Sequence, residues 1–152
     1  VAPLAAEFTV WAEREFLDAS TGKVSREVVN FDHALDHVLE RHREVPTDRF
    51  GLRDLQAVRQ AMLDGGRLCR NVINARVRRI KAVFRWGAEQ GFVPAETWHQ
   101  LAVLRGLRQG RSGARETDPV TAVTRAQVDA ILPFLPGALR TCVELQWCTV
   151  MR

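Results

Sequence analysis

Apolar residues recur at intervals of three and four positions along most of this chain, which is the period of one face of an α-helix. Glycine and proline interrupt the pattern, most clearly at Gly65-Gly66, at Gly91 and at Pro136-Gly137. The intervals predict seven helices, over residues 4–17, 25–43, 52–63, 69–90, 95–104, 125–135 and from 138 onward. The expected fold class is therefore all-α.

The composition changes at residues 106–119, which hold three glycines and a proline but almost no large apolar side chain. Such a composition is typical of a linker. We therefore predict a helical domain over 1–105, a basic interdomain linker over 106–119, and the start of a second domain over 120–152. A short strand is expected at 120–123. The last predicted helix reaches the end of the chain without a stop signal, so we expect the chain to end inside a domain.

The net charge of +4 is unevenly distributed. Residues 1–64 carry 8 basic and 12 acidic side chains, residues 65–115 carry 11 and 2, and residues 116–152 carry 3 and 4. Codon bias explains why arginine outnumbers lysine 20 to 2, but it does not explain the shortage of acids in the middle third. A segment that holds more than the whole net charge indicates a polyanionic partner, of which nucleic acid is the expected one.

Several other classes of protein are disfavoured. Cys69, Cys142 and Cys148 form no CxxC pair, so neither a disulfide framework nor a zinc knuckle is predicted, and reduced thiols indicate the cytoplasm. No apolar run approaches the roughly 18 residues of a membrane span, so no membrane is predicted as a partner. The sequence contains no glycine-rich phosphate-binding loop, so no small-molecule substrate is predicted either. His33 and His37 have helical spacing, but no third ligand is evident, so a solvated face is favoured. We predict no metal and no cofactor.

The helix predicted at 69–90 is the most informative one. Its apolar residues fall on one face at about 100° per residue: Ile73, Val77, Ile80, Phe84 and Ala88. A neighbouring face carries basic and amide side chains without an acid among them: Arg70, Asn71, Asn74, Arg78, Lys81 and Arg85. Guanidinium groups bind phosphate or guanine with two donors, and an asparagine amide pairs with adenine. We predict that this face contacts duplex DNA; the alternative is a solvated face whose arginine stems cover the core.

The basic character continues through the predicted linker, where Arg108 and Arg111 are the central cations. A flexible basic segment follows a phosphate backbone and adds affinity that depends on salt. We therefore include both residues in the predicted DNA-binding set, with a solvated spacer as the alternative. About five phosphate contacts would give a log–log salt slope near −4.5.

Three segments resemble phage-integrase-type tyrosine recombinases. The last long helix of that family's core-binding domain is similar to residues 71–93, which read NVINARVRRIKAVFRWGAEQGFV. The opening of its catalytic domain is similar to residues 120–132, which read VTAVTRAQVDAIL. The helix before its first catalytic arginine is similar to residues 139–152, where the usual TGxR reads Thr149-Val150-Met151-Arg152. Val150 thus stands where the family usually has glycine, which suits a tight backbone position.

The resemblance implies a SAM-like core-binding helical bundle followed by the start of a mainly α catalytic domain. It also implies an enzyme that recognises duplex DNA for integration or excision of a mobile element, with a possible homo-oligomer assembled on DNA. In such enzymes a tyrosine attacks the scissile phosphate, and Arg152 would be the first of the arginines that stabilise the phosphoryl group. Since the chain contains no tyrosine, the expectation is a DNA-binding portion that cannot cleave DNA alone.

Two other functions remain open from the sequence. One is a degenerate helical module that binds protein, which would show an exposed apolar patch and binding that is insensitive to salt. The other is a helical RNA-binding domain, which would prefer single strands or loops to a duplex.

Overall fold

A computed structural model describes residues 1–18 and 20–149 of the chain, and this part is mostly helical. Its α-helices are α1 (Ala2–Glu15), α2 (Arg26–His42), α3 (Leu52–Asp64), α4 (Arg70–Glu89), α5 (Ala95–Ala102), α6 (Arg125–Ile131) and α7 (Gly137–Thr149). A short 3₁₀ helix, Leu132–Phe134, follows α6. The described residues contain no β-strand beyond isolated bridges, so the all-α prediction is confirmed.

The predicted strand at 120–123 is wrong, because these residues have no regular secondary structure. Val120 is fully exposed, and the described part of the chain offers no neighbouring strand to pair with it. A lone extended segment leaves its backbone groups to water and gains nothing from a β conformation. The helix predicted over 125–135 also divides: α6 ends at Ile131, and Pro133 lies in the 3₁₀ helix that continues it.

The chain divides into two compact units, Val1–Thr117 and Asp118–Arg152. The first unit contains α1 to α5 and a following stretch, residues 103–117, which we call the tail segment. The tail segment includes most of the predicted linker, so the structure assigns residues 106–117 to the first unit. In the second unit, the structure describes residues 118–149, with α6 and α7.

Helix α4 lies at the centre of the first unit and packs against α1, α2, α3 and α5. The side chains that it buries are those of the predicted apolar face and a few neighbours: Ile73, Val77, Ile80, Val83, Phe84 and Trp86. Phe50 stacks on Phe84 with their ring centroids 4.9 Å apart. The same strip of α4 therefore fixes which face of the helix remains at the surface.

An aromatic group joins α1, α2 and α4. The ring of Phe8 lies 4.8 Å from that of Phe31 and 5.3 Å from that of Trp86. Gly87 allows this close packing, because a Cβ atom there would lie 2.6 Å from a methyl carbon of Leu4 and 2.7 Å from one of Val93. Trp86 is only 8% exposed, so its indole belongs to this core rather than to a ligand surface.

The second unit is more open over its described residues. Thr124 begins α6 with a capping box, in which its hydroxyl accepts from the Gln127 backbone and the Gln127 side chain accepts from the Thr124 backbone. Val128 and Leu132 are buried, whereas α7 has no buried residue among those described. The guanidinium of Arg125 lies over the ring of Trp147, 5.4 Å from its centroid.

Candidate nucleic-acid interface

The basic face of α4 is built at the helix N-terminus by a contact with the tail segment. The Arg70 backbone N–H donates to the carbonyl of Arg115 at 2.9 Å, which satisfies one of the free donors of the first turn. The Arg70 Nε atom donates to the Glu116 carboxylate, 2.8 Å from one oxygen and 3.0 Å from the other. The Arg70 side chain is 17% exposed, so this predicted DNA contact is engaged in an internal ion pair.

Asn74 makes a two-way contact with the tail segment one turn further along α4. Its Nδ2 atom donates to the Leu107 carbonyl at 3.0 Å, and its Oδ1 atom accepts from the Leu107 N–H at 2.8 Å. Gly106 passes so close that a Cβ atom there would lie 3.4 Å from the Asn74 Oδ1. The amide that the sequence predicts for adenine recognition is thus occupied by the backbone of this protein.

Lys81 holds the start of the tail segment. Its ammonium group donates to the carbonyl of Ala102 at 3.1 Å and also to that of Leu104, at the C-terminal end of α5. Burial, and to a lesser extent the charge of Arg59, lowers the pKa of Lys81. Arg59 itself donates to the carbonyl of Arg105 at 2.9 Å. Lys81 therefore donates to a carbonyl at the end of α5, where positive charge is favoured, and Arg59 holds the segment just beyond it.

Three predicted residues of α4 remain exposed: Asn71, Arg78 and Arg85. Arg78 forms no ion pair with a carboxylate of the described residues. Arg85 pairs with Glu89 at 2.9 Å, but its side chain is 65% exposed. An exposed pair at this spacing contributes only about 0.3–0.5 kcal/mol, so a phosphate can replace Glu89 at little cost.

Arg78 lies on a ridge between two shallow grooves. One groove, of about 530 Å³, separates α4 from the tail segment and is lined by Asn71, Asn74, Val77, Arg78, Lys81, Leu104 and Gly106. The other, of about 330 Å³, separates α4 from α2 and is lined by Glu27, Phe31, Ala75, Arg78, Arg79 and Ala82. A guanidinium on this ridge can turn toward a ligand on either side.

The tail segment presents its own cations beside this ridge. Arg108 and Arg111 are both exposed, and a backbone hydrogen bond of 3.3 Å closes the turn between them. Gly110 lies inside this turn with a φ of +67°, a conformation that suits glycine. The two arginines are therefore attached to the same unit as α4 through Asn74, Lys81 and Arg70.

The side of α4 that faces α2 carries two arginines outside the predicted DNA-binding set, Arg76 and Arg79. Arg79 donates to both oxygens of Glu27 on α2, at 2.8 and 3.0 Å. The hydrogen bond from Arg79 is the main reason why the pKa of Glu27 is lowered. Arg76 contacts the Nε2 atom of His37, also on α2. The available signal lies in α2 itself, whose acidic and histidine side chains include Glu27 and His37.

Some predicted features fall elsewhere. Arg152, the predicted catalytic arginine, and Val150 lie outside the described residues. Within the residues that are described, no group of three or more histidine, cysteine, aspartate or glutamate side chains is arranged to hold a metal ion. No described helix has both the length and the apolar character needed to cross a membrane.

Comparisons with models of known protein families, with curated proteins and with solved structures find no match for this chain. What remains are the three segments that resemble tyrosine recombinases and the geometry of α4 and the tail segment. Together these define a helical unit with one exposed face rich in arginine.

Proposed function

We propose that the first unit binds duplex DNA. The DNA face, as we use the term, consists of Asn71, Arg78 and Arg85 on α4 with Arg108 and Arg111 of the tail segment. The observation that carries the proposal is that these four arginines are exposed, while their basic neighbours on α4 are used to hold the tail segment beside the helix.

The chemistry of the DNA face suits a duplex. An α-helix fits the major groove of B-DNA, where a guanidinium binds guanine with two donors and an amide binds adenine. Arg78 and Asn71 are exposed on α4 and are assigned to base edges. Arg85, Arg108 and Arg111 are assigned to phosphates, since contacts with the backbone set the register of a protein on DNA.

The remaining predicted residues receive a supporting role in this proposal. Arg70, Asn74 and Lys81 fix the tail segment to α4, so that Arg108 and Arg111 are held near the helix before DNA arrives. Such preorganisation lowers the entropy that binding costs. Loss of one of these three residues is expected to weaken DNA binding through the tail segment rather than through a lost contact.

The resemblance to tyrosine recombinases supports a more specific proposal. The first unit would be a SAM-like core-binding bundle, acting in the cytoplasm on DNA that is integrated or excised, with protomers assembling on the duplex. The 152 residues include no tyrosine, so the nucleophile of strand cleavage cannot come from them. Arg152 is proposed as the first phosphate-binding arginine by the same resemblance.

The experiment that tests DNA binding compares two pairs of substitutions with the same change in charge. Arg78→Gln/Arg85→Gln removes two cations of the DNA face, whereas Arg14→Gln/Arg53→Gln removes two exposed cations from α1 and α3. Fluorescence anisotropy with a labelled duplex should show at least tenfold weaker binding for the first pair and less than threefold for the second. Equal weakening by the two pairs would show that binding depends on net charge and not on the DNA face, which would contradict the proposal.

Two competitors separate this proposal from the other functions. Unlabelled duplex should displace the labelled duplex more effectively than single-stranded RNA of the same sequence, and the reverse order would favour an RNA-binding unit. A protein-interaction module is favoured by one observation, the exposure of Ile131, Phe134 and Leu145 in the second unit. If the chain fails to bind duplex DNA at low salt, that apolar surface becomes the better candidate site.

A further inference from the structure

A separate cavity of about 390 Å³ lies among α2, α3, α4 and the turn that joins α3 to α4. Three arginines reach it from different elements, namely Arg41 from α2, Arg67 from the turn and Arg76 from α4. His37 and Glu40 of α2 also line it, and Met62 and Leu68 contribute an apolar wall. The lining of the cavity therefore contains three arginines and one acidic residue, Glu40.

Arg76 is the unusual member of this group, because it is half-buried and forms no direct ion pair, although the charge of Asp36 acts on it from α2. Its neighbours on α4, Arg70 and Arg79, are each paired with a glutamate. Among the described residues, no such ion pair involves Arg76, whose side chain instead contacts the Nε2 atom of His37. Burial outweighs the charge of Asp36 and lowers the pKa of Arg76, so an anion in the cavity would favour the charged guanidinium.

The contact with Arg76 also defines the state of His37. A guanidinium only donates hydrogen bonds, so a proton on the Nε2 atom of His37 would oppose this contact, and Arg76 therefore favours the neutral ring. Burial, followed by the charge of Arg76, lowers the pKa of His37. His37 is therefore a further basic group in the cavity, and it would gain a proton more readily when an anion binds.

We propose that this cavity binds a phosphate group. Guanidinium groups on separate elements can converge on the oxygens of one phosphate with charge-assisted hydrogen bonds, and an apolar wall accommodates the remainder of a phosphorylated molecule. Arg76 and Arg78 are two positions apart on α4, about 200° around the helix, so the cavity and the DNA face lie on opposite sides of it. The proposal therefore stands independently of the proposed DNA binding.

Phosphate binding should be coupled to proton uptake at His37. The charged groups that act on this ring are Asp36 and Glu40 of α2, Arg67 of the turn and Arg76 of α4. A bound phosphate beside the ring would favour the protonated imidazole, so wild type should gain affinity relative to His37→Gln as the pH falls. His37→Gln should remove most of this pH dependence while it leaves binding at pH 8 within about threefold.

The test is isothermal titration of the full chain with inorganic pyrophosphate at constant ionic strength. Arg41→Gln and Arg67→Gln change exposed side chains, so the fold should be kept, and each should weaken binding by about tenfold. Arg53→Gln, an equal change in charge at an exposed position of α3, should leave the affinity unchanged. No measurable binding, or equal binding by wild type and both cavity variants, would overturn the proposal, as would an equal loss in Arg53→Gln.

A second titration identifies the source of the phosphate. If duplex DNA displaces pyrophosphate, and Arg41→Gln and Arg67→Gln weaken DNA binding by about tenfold, the natural ligand is a phosphate of the DNA backbone. If pyrophosphate binds equally well to the DNA complex and to the free chain, the ligand is a small phosphorylated molecule. Both results support the cavity as a phosphate site.

Discussion

At the scale of single residues, Asn71 and Asn74 show how one sequence signal divides into two roles. Both lie on the same stripe of α4, and the sequence predicts the same DNA contact for both. In the structure Asn71 is exposed, whereas Asn74 is hydrogen-bonded to Leu107, a residue 33 positions away. Helical spacing describes only the local face, so it could not predict which amide the tail segment would occupy.

Replacement of Asn74 by alanine should loosen the tail segment. The substitution leaves the N–H and carbonyl of Leu107 without their partners, and we expect the free energy of unfolding to fall by about 1–2 kcal/mol in urea denaturation. Amide exchange at Leu107 should become faster. Asn71→Ala is the matched control on the same helix and should change stability by less than about 0.5 kcal/mol. Equal losses would show that Asn74 does not anchor the segment.

Glu27 gives a prediction about pH. Because its hydrogen bond with Arg79 lowers the folded-state pKa below the ordinary 4.5, its contribution to stability is present above that value and is lost as the pH falls through the folded pKa. The pair is partly exposed, so Glu27→Gln should cost less than about 1 kcal/mol at pH 7. The difference between the two proteins should shrink in urea titrations below pH 4.5.

Glu7→Gln, an exposed acid on α1, is the control for that experiment. The difference in the free energy of unfolding between Glu7→Gln and wild type should be small, and it should not shrink below pH 4.5 as that of Glu27→Gln does. A Glu27→Gln variant whose stability runs parallel to that of wild type from pH 7 to pH 3 would contradict the assigned ion pair.

At the scale of elements, α4 combines the core and the candidate site in one helix. Its period predicted most of the buried face and the exposure of Asn71, Arg78 and Arg85, and the boundaries differ from the prediction by one residue at each end. What its sequence did not show is how its basic residues are shared among neighbours: Arg79 pairs with α2, and Lys81 bonds to the end of α5. These partners are distant in sequence, and only the tertiary arrangement brings them to α4.

The packing of α1 on α4 should be sensitive to a single methyl group at Gly87. A Cβ atom there would overlap side-chain carbons of Leu4 and Val93, so Gly87→Ala should lower the free energy of unfolding by about 1–3 kcal/mol although alanine favours a helix. Thermal denaturation measures this. Gly137→Ala, where a Cβ atom would meet open space, should cause no loss. A Gly87→Ala variant as stable as wild type would show that α1 is free to move away.

At the scale of the whole molecule, the sequence predicted the helices more closely than it predicted how the chain attaches beyond α5. Residues 106–119 have the composition of a linker, and the structure nevertheless assigns residues 106–117 to the first unit. The reason is that backbone groups carry most of the attachment: Leu107, Arg105 and Arg115 are held through main-chain atoms that any sequence provides. Composition records side chains, so it could not show this attachment.

The positive charge that the sequence shows is also larger than the charge that the fold leaves exposed. The middle third of the sequence has a large positive excess, but in the folded unit Glu27 and Glu116 neutralise Arg79 and Arg70. Four exposed arginines remain on the DNA face, namely Arg78, Arg85, Arg108 and Arg111. Because Arg78 is assigned to a base edge, three of them are left for phosphates, fewer than the five expected from the sequence.

The salt dependence of duplex binding tests this central claim most directly. Three phosphate contacts predict a log–log slope of the binding constant against salt concentration of about −2.7, and Arg78→Gln/Arg85→Gln, which removes the phosphate contact of Arg85, should reduce it to about −1.8. Arg14→Gln/Arg53→Gln should leave the slope unchanged. A slope that stays at its wild-type value in the Arg78→Gln/Arg85→Gln protein would contradict the claim that the exposed face of α4 binds DNA.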